Sequence, residues 1–136
     1  IGLSYIYPLI MESVDLNKEK MALMLLKAII FHYHGLDEDE EKILYRSAGE
    51  LHAEGELKWA FDFIAEDYVT AFERARSFMT GSMNTIEKRK RLQFINLTWK
   101  ANSEKGYITE MEATAMLKIA KDWEVDQELI AMVQPT

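Results

Sequence analysis

The chain has 136 residues, of which 49% are hydrophobic and 29% charged, and it contains no cysteine. This length fits one domain with a core that needs no disulfide, and the lack of cysteine excludes thiolate metal sites and cysteine nucleophiles. The formal net charge of -7 disfavours nucleic acid and anionic lipid as partners, because the field of the chain repels them. No run reaches the roughly 18 apolar residues of a membrane helix, so we predict a cytoplasmic protein without a membrane span.

Helical periodicity runs through almost the whole sequence, whereas the alternation typical of strands is nearly absent. We predict a first helix over residues 4–13 and a second over residues 17–34. The second is apolar on nearly all sides, which is typical of a helix at the centre of a bundle. Four apolar residues of the first segment could pack on the core or form a homodimer contact: Tyr5, Ile6, Tyr7 and Ile10.

Six further helices are predicted, in chain order over residues 37–53, 56–65, 66–79, 84–102, 109–123 and 126–133. The pattern leaves open whether residues 56–65 and 66–79 form one kinked helix or two. Gly81 is expected to end the helical segment over residues 66–79. The sequence therefore predicts a single all-α domain over residues 1–136, folded as a compact bundle of seven to eight helices.

A short phrase occurs twice, as HGLDEDE over residues 34–40 and as KGYITEME over residues 105–112. Each copy follows an apolar helical pattern and opens another one. Gly35 and Gly106 stand where a helix ends, a position at which a left-handed backbone costs glycine nothing. We interpret the two copies as an internal duplication of a helix–turn–helix, with Tyr107 as one extra residue in the second copy.

Each copy also carries the signature of a capping box. Asp37 and Thr109 are natural N-cap residues, and Glu40 and Glu112 follow them three positions later. In a capping box the side chain of the cap and that of the glutamate each bond a free backbone N–H of the first helical turn. We therefore predict that both turns begin a helix in the same way.

This pair of turns resembles the TerB-like (tellurite-resistance) domain family, over residues 17–133. The resemblance implies an all-helical fold, a link to stress response and tellurite resistance, and acidic residues near the two turns as metal ligands. Glu40 and Glu112 match the glutamate of the family motif, and Asp37 and Asp39 are the neighbouring acids that would join them.

The residues themselves also argue against a metal ion. The family has an aspartate before each glycine, whereas this chain has His34 and Lys105, and a charged lysine cannot ligate Ca²⁺ or Mg²⁺. His32 and His34 are two apart on a helix and face different ways, so they form no zinc pair. The predicted cofactor is therefore none, with a divalent metal at the acidic turns as the alternative.

Two other patterns have structural and functional interpretations. The basic residues 88–91 form either a solubilising face, which includes pairing with the acidic residues 37–41, or a docking site for an acidic partner. An aromatic-rich middle section has the spacing of core residues, with Trp59, Phe61, Phe63, Tyr68, Phe72 and Phe78.

No phosphate-binding loop, nucleophile elbow or other catalytic motif is present. The leading hypothesis is therefore a non-enzymatic interaction or stress-response module whose protein partner the sequence does not identify. One alternative is a divalent-metal sensor that uses Glu40, Glu112, Asp37 and Asp39. Another is an enzyme with an unrecognised pair of carboxylates.

Overall fold

The computed structural model describes residues 16–33 and 36–133. The regular secondary structure of this part of the chain is all helical, with no strand, which confirms the predicted all-α class. Its seven helices are α1 Lys18–His32, α2 Glu38–Glu50, α3 Glu54–Ala65, α4 Ala71–Met83, α5 Lys88–Ser103, α6 Glu110–Asp122 and α7 Asp126–Val133. The helix predicted over residues 4–13 lies outside the described residues. None of the described helices is long and apolar enough to cross a bilayer.

Helix α1 lies at the centre of the bundle, as its sequence predicts. Ten consecutive residues, 22–31, are buried. The helix packs against α2, α3, α4, α5 and α6, so that every face of it is covered. Its first turn is capped by Asn17, whose side-chain oxygen accepts a hydrogen bond from the backbone N–H of Lys20 at 3.1 Å. The other helices are therefore arranged around α1.

Several predicted boundaries in the middle of the chain were wrong. Residues 66–70 separate α3 from α4, so this region holds two helices and not one kinked helix. Helix α4 continues through Gly81 to Met83, because a glycine inside a helix costs only about 1 kcal/mol relative to alanine. Residues 84–87 then form a turn, in which the N–H of Ile86 donates to the carbonyl of Met83 at 3.1 Å, and α5 begins after it.

Two helices end in a left-handed residue that is not glycine. His52 follows α2 with a φ of 53°, and Glu124 follows α6 with a φ of 60°. In each case the next N–H reaches back over the last turn, from Ala53 to Ala48 and from Val125 to Ala120, both at 2.8 Å. These bonds satisfy carbonyls that a helix end leaves free. The predicted helix bounds leave a break close to both places, but they do not predict a left-handed histidine or glutamate there, because such a conformation favours glycine.

The basic residues 88–91 bind within the protein. Three of the four have partners in other parts of the bundle: Lys88 pairs with Glu128 at 2.8 Å, Lys90 pairs with Glu19 at 2.6 Å, and Arg91 donates to the carbonyl of Trp123 at 2.7 Å. Within the described chain, the partners are therefore not the acidic residues 37–41. The cluster connects α5 to α1, α7 and the end of α6.

Candidate functional site

Both predicted capping boxes are formed. The carboxylate of Asp37 accepts a hydrogen bond from the N–H of Glu40 at 2.8 Å, and Glu40 Oε1 accepts one from the N–H of Asp37 at 3.2 Å. At the second turn, Thr109 Oγ1 accepts from the N–H of Glu112 at 3.1 Å, and Glu112 Oε1 accepts from the N–H of Thr109 at 2.9 Å. Gly106 has the predicted left-handed backbone, with a φ of 97°; Gly35 lies outside the described residues.

The two capping glutamates meet at one lysine. The ammonium of Lys105 donates to Glu40 Oε2 at 3.2 Å and also to Glu112 Oε2. The side-chain oxygen of Asn102 accepts a third bond at 3.1 Å. The exposed fractions of the Lys105, Glu40 and Glu112 side chains are 6%, 2% and 0%. Each glutamate thus gives one oxygen to a helix start and the other to a shared cation.

Two aromatic rings complete the surroundings of the ammonium. The Lys105 nitrogen lies 5.3 Å from the ring centroid of Phe31 and 5.0 Å from that of Tyr107. Both distances fall within the range at which a ring face attracts a cation. Tyr107 follows Lys105 two positions later in the chain, with Gly106 between them. We call Lys105, Glu40, Glu112 and Asn102 the lysine cluster.

Electrostatics favour the charged form of Glu112. Burial alone would raise the pKa of Glu112, but hydrogen bonds from Lys105 and Thr109 outweigh it, and the pKa lies below the ordinary value of 4.5. Glu40 and Glu112 each occupy the third position of a helix, where the positive end of the helix dipole stabilises a negative charge. One ammonium and two helix starts therefore balance two buried carboxylates.

The four predicted metal ligands have different positions. Glu40 and Glu112 come together, but with the Lys105 ammonium between them. Asp37 is exposed and acts as the cap of α2, and Asp39 is exposed on the first turn of the same helix. In the described ranges, no group of three or more histidine, aspartate or glutamate side chains is placed to hold a metal ion. The metal site remains a prediction.

Sequence reasoning missed a third buried glutamate. Glu56 is 5% exposed, and its carboxylate accepts a hydrogen bond at 2.7 Å from the backbone N–H of Asn17, the cap of α1. The two residues are 39 positions apart in the chain, so no local spacing could reveal the contact. The sequence does give a sign that Lys105 is unusual, because the TerB-like motif that this turn resembles has an aspartate at that place.

A second buried lysine, Lys27, has a hydroxyl, and not a carboxylate, as its hydrogen-bond partner. The ammonium of Lys27 donates to Ser47 Oγ at 2.5 Å, and its residue is 5% exposed. Burial lowers the pKa of Lys27, while the charges of Glu104 and Glu50 raise it by less. Lys27 therefore holds α1 to α2 through a neutral hydroxyl, whereas Lys105 binds two carboxylates.

An open groove lies where the end of α1, the first half of α2 and the end of α3 meet. Its volume is about 390 Å³, within the range of ligand-binding pockets. Tyr45 and Tyr68 are exposed by 56% and 61%, so Tyr68 departs from its predicted place in the core. We call this surface the aromatic groove; its main lining residues are His32, Leu36, Glu41, Tyr45, Phe61 and Tyr68, with Asp62 beside them.

The rings of the aromatic groove are held in pairs. His32 and Tyr68 are stacked, with ring centroids 4.9 Å apart and planes within 1° of parallel. Tyr45 meets Phe61 edge to face, with centroids 6.0 Å apart. Such pairs restrict the rotamers of exposed side chains. The groove therefore presents an ordered aromatic surface.

Comparison with protein-family models, with curated proteins and with solved structures found no match to this chain. The TerB-like resemblance and the internal duplication therefore rest on the paired turns themselves.

Proposed function

We propose that this chain is a non-enzymatic, TerB-like interaction module that acts through its surface. The observation that carries this proposal is the aromatic groove, in which Tyr45 and Tyr68 keep more than half of their side chains exposed. Aromatic residues are enriched where proteins bind one another, since they combine a large apolar area with few rotatable bonds. A role in stress response or tellurite resistance rests on the TerB-like resemblance alone.

The lysine cluster supports an interaction module over a metal sensor. A divalent ion held by Glu40 and Glu112 would have to displace the ammonium of Lys105, because two cations cannot share one small buried space. The displaced ammonium would then need another partner in the core, which is costly. In this proposal the chain holds the two acidic turns together with its own cation, and no bound metal ion is needed for that.

The enzyme hypothesis has less support. Its acid pair would need to converge on an open cleft, whereas Glu40 and Glu112 are buried around Lys105. The aromatic groove does contain Glu41 and Asp62, and Asp62 is paired with Lys58 at 3.2 Å. We assign these two acids to partner recognition.

Two measurements test the proposal. The tagged chain is used to capture proteins from its source cells, and the complex with each specific partner is rebuilt from purified components and weighed by light scattering. We expect one defined complex. Calorimetric titrations with Ca²⁺, Mg²⁺, Mn²⁺ and Zn²⁺ are expected to give no binding heat. Heat that is lost on replacing Glu40 and Glu112 by glutamine, together with no rebuilt complex, would instead establish the metal sensor.

A further inference from the structure

The aromatic groove has features that select the chemistry of a partner. Resting on the proposed interaction role, we propose that this groove docks a segment of a partner protein that carries arginine next to an apolar residue. Two features of the groove support this ligand, namely its charge and its rings, and the internal pairing of the basic residues 88–91 argues against a second copy of the chain.

The charge of the groove is negative. Glu41 and Asp62 line it, and no lysine or arginine is among its described lining residues. The Lys58–Asp62 pair at its edge is exposed on both sides, and such pairs contribute only about 0–1 kcal/mol. A guanidinium can therefore replace Lys58 at little cost, and it gains a bidentate contact that an ammonium does not make.

The rings suit the same ligand. A guanidinium is flat and weakly hydrated, and it stacks on aromatic faces. The stacked pair of His32 and Tyr68 and the pair of Tyr45 and Phe61 are already ordered, so that binding loses little side-chain entropy. Leu36, which is half-buried, adds apolar surface to the lining. The groove thus offers a place for a planar cation and for an aliphatic side chain beside it.

A second copy of the chain fits this groove poorly. The obvious basic surface of the protein is the cluster of residues 88–91, and three of its four side chains already bind Glu128, Glu19 and the carbonyl of Trp123. These side chains would have to leave their partners before they could enter the groove of another copy. A different protein is therefore the better source of the arginine.

Synthetic peptides test the inference with the full chain. The probe is a ten-residue peptide of alternating arginine and leucine, and the controls alternate glutamate with leucine and arginine with serine. Backbone amide NMR shifts are recorded during titration. We expect shifts from the arginine–leucine peptide that are confined to the end of α1, the first half of α2 and the end of α3. Equal binding of the glutamate–leucine peptide would overturn the inference.

Matched variants separate the groove from general charge. Tyr68→Ala and Glu41→Lys are each expected to weaken binding of the arginine–leucine peptide about tenfold, as the loss of one cation–ring or ion contact implies. Val69→Ala, at an exposed neighbour of Tyr68, and Glu110→Lys, at an exposed acid on the first turn of α6, are the controls. Equal weakening by the controls would contradict the assignment to this groove.

Further outcomes show whether the groove assignment fails while the proposed interaction role stands. If a natural partner rebuilds its complex with Tyr68→Ala at unchanged affinity, the interaction role stands and the groove assignment fails. If the chain alone doubles its mass as its concentration rises, and Tyr68→Ala abolishes this, the occupant is a second copy and the inference is also overturned. Loss of the natural complex in Tyr68→Ala, with the complex retained in Val69→Ala, supports it.

Discussion

Glu40 and Glu112 lie in the first turns of two helices that are distant in the sequence. Their carboxylates contact the same ammonium, that of Lys105. Each carboxylate also accepts the N–H of its own N-cap residue, Asp37 or Thr109. The start of α2 and the start of α6 are therefore coupled through one side chain. A change at either helix start affects the other, since the lysine would lose one of its two counter-charges.

Replacing Lys105 by methionine should cost much of the stability of the protein. The variant keeps most of the side-chain volume but removes the ammonium that the buried carboxylates of Glu40 and Glu112 both contact. We expect the free energy of unfolding, measured with urea at neutral pH, to fall by about 3–5 kcal/mol. Lys118→Met is the control, because Lys118 is exposed on α6 and carries the same charge. A loss below about 1 kcal/mol would mean that the cluster is solvated.

Glu112 should make the stability depend on acid pH. Its pKa in the folded protein lies below the ordinary value of 4.5, so the unfolded chain binds more protons as the pH falls. The contribution of Glu112 is thus fully present above that value and is lost as the pH falls through the lower pKa of the folded state. Urea unfolding from about pH 7 to about pH 3 should show wild type and Glu112→Gln converging in acid. Glu110→Gln, which removes an exposed acid from the same helical turn, is the control.

Replacing Lys27 by methionine should not destabilise the protein, in contrast to the same replacement at Lys105. The pKa of Lys27 lies below the ordinary value of 10.5 because burial disfavours its charge. The unfolded chain therefore binds the proton more tightly, and stability gains from this residue as the pH rises toward that value. Lys27→Met should leave the free energy of unfolding at neutral pH unchanged or raise it by about 1 kcal/mol, and it should remove the gain in alkali. A loss as large as that of Lys105→Met would contradict this account.

The pairing of Arg76 with Asp122 should stabilise the contact of α4 with α6. Two nitrogens of the guanidinium bind the two carboxylate oxygens at 2.8 and 2.9 Å, and the carboxylate raises the pKa of Arg76 above its ordinary value through these bonds. Asp122→Asn should lower the free energy of unfolding by about 1–2 kcal/mol in thermal or urea melts. Asp62→Asn, which breaks the exposed pair with Lys58, should change it by less than about 0.5 kcal/mol.

Glycine at position 124 should stabilise the protein. Glu124 is exposed and has a φ of 60°, a conformation that costs a residue with a side chain roughly 1 kcal/mol. We expect Glu124→Gly to raise the free energy of unfolding by about 0.5–1 kcal/mol, part of the gain being offset by the greater freedom of glycine when unfolded. Glu124→Ala should bring no gain, since alanine has the same restriction. Differential scanning calorimetry gives both values.

The sequence predicts those parts of this fold that depend on local patterns. The apolar run of α1 predicts its central place, and the spacing of Asp37 to Glu40 and of Thr109 to Glu112 predicts both capping boxes. These features depend on residues three or four positions apart, which the chain displays directly. The boundaries around Gly81 failed because tertiary packing outweighed the weak preference of one glycine against helix.

The site could be predicted only in part. Spacing identified Glu40 and Glu112 but not their meeting at Lys105, since that contact depends on how α2 and α6 pack. The aromatic groove was missed because the helical spacing of Tyr68 is that of a core residue, whereas its position just after the end of α3 leaves it exposed. Periodicity predicts which side of a helix is apolar, but it does not predict the residue at which the helix ends and beyond which apolar side chains become exposed.

The contact of Lys105 with Glu40 also has a consequence for biosynthesis. The two residues are separated by 65 positions, so after Glu40 has left the ribosome the same number of residues must still be added before the ammonium of Lys105 emerges. Until then the carboxylate has reason to stay hydrated, and the nascent α2 cannot settle permanently against α1. The two acidic turns should accordingly join only after the second one has left the exit tunnel.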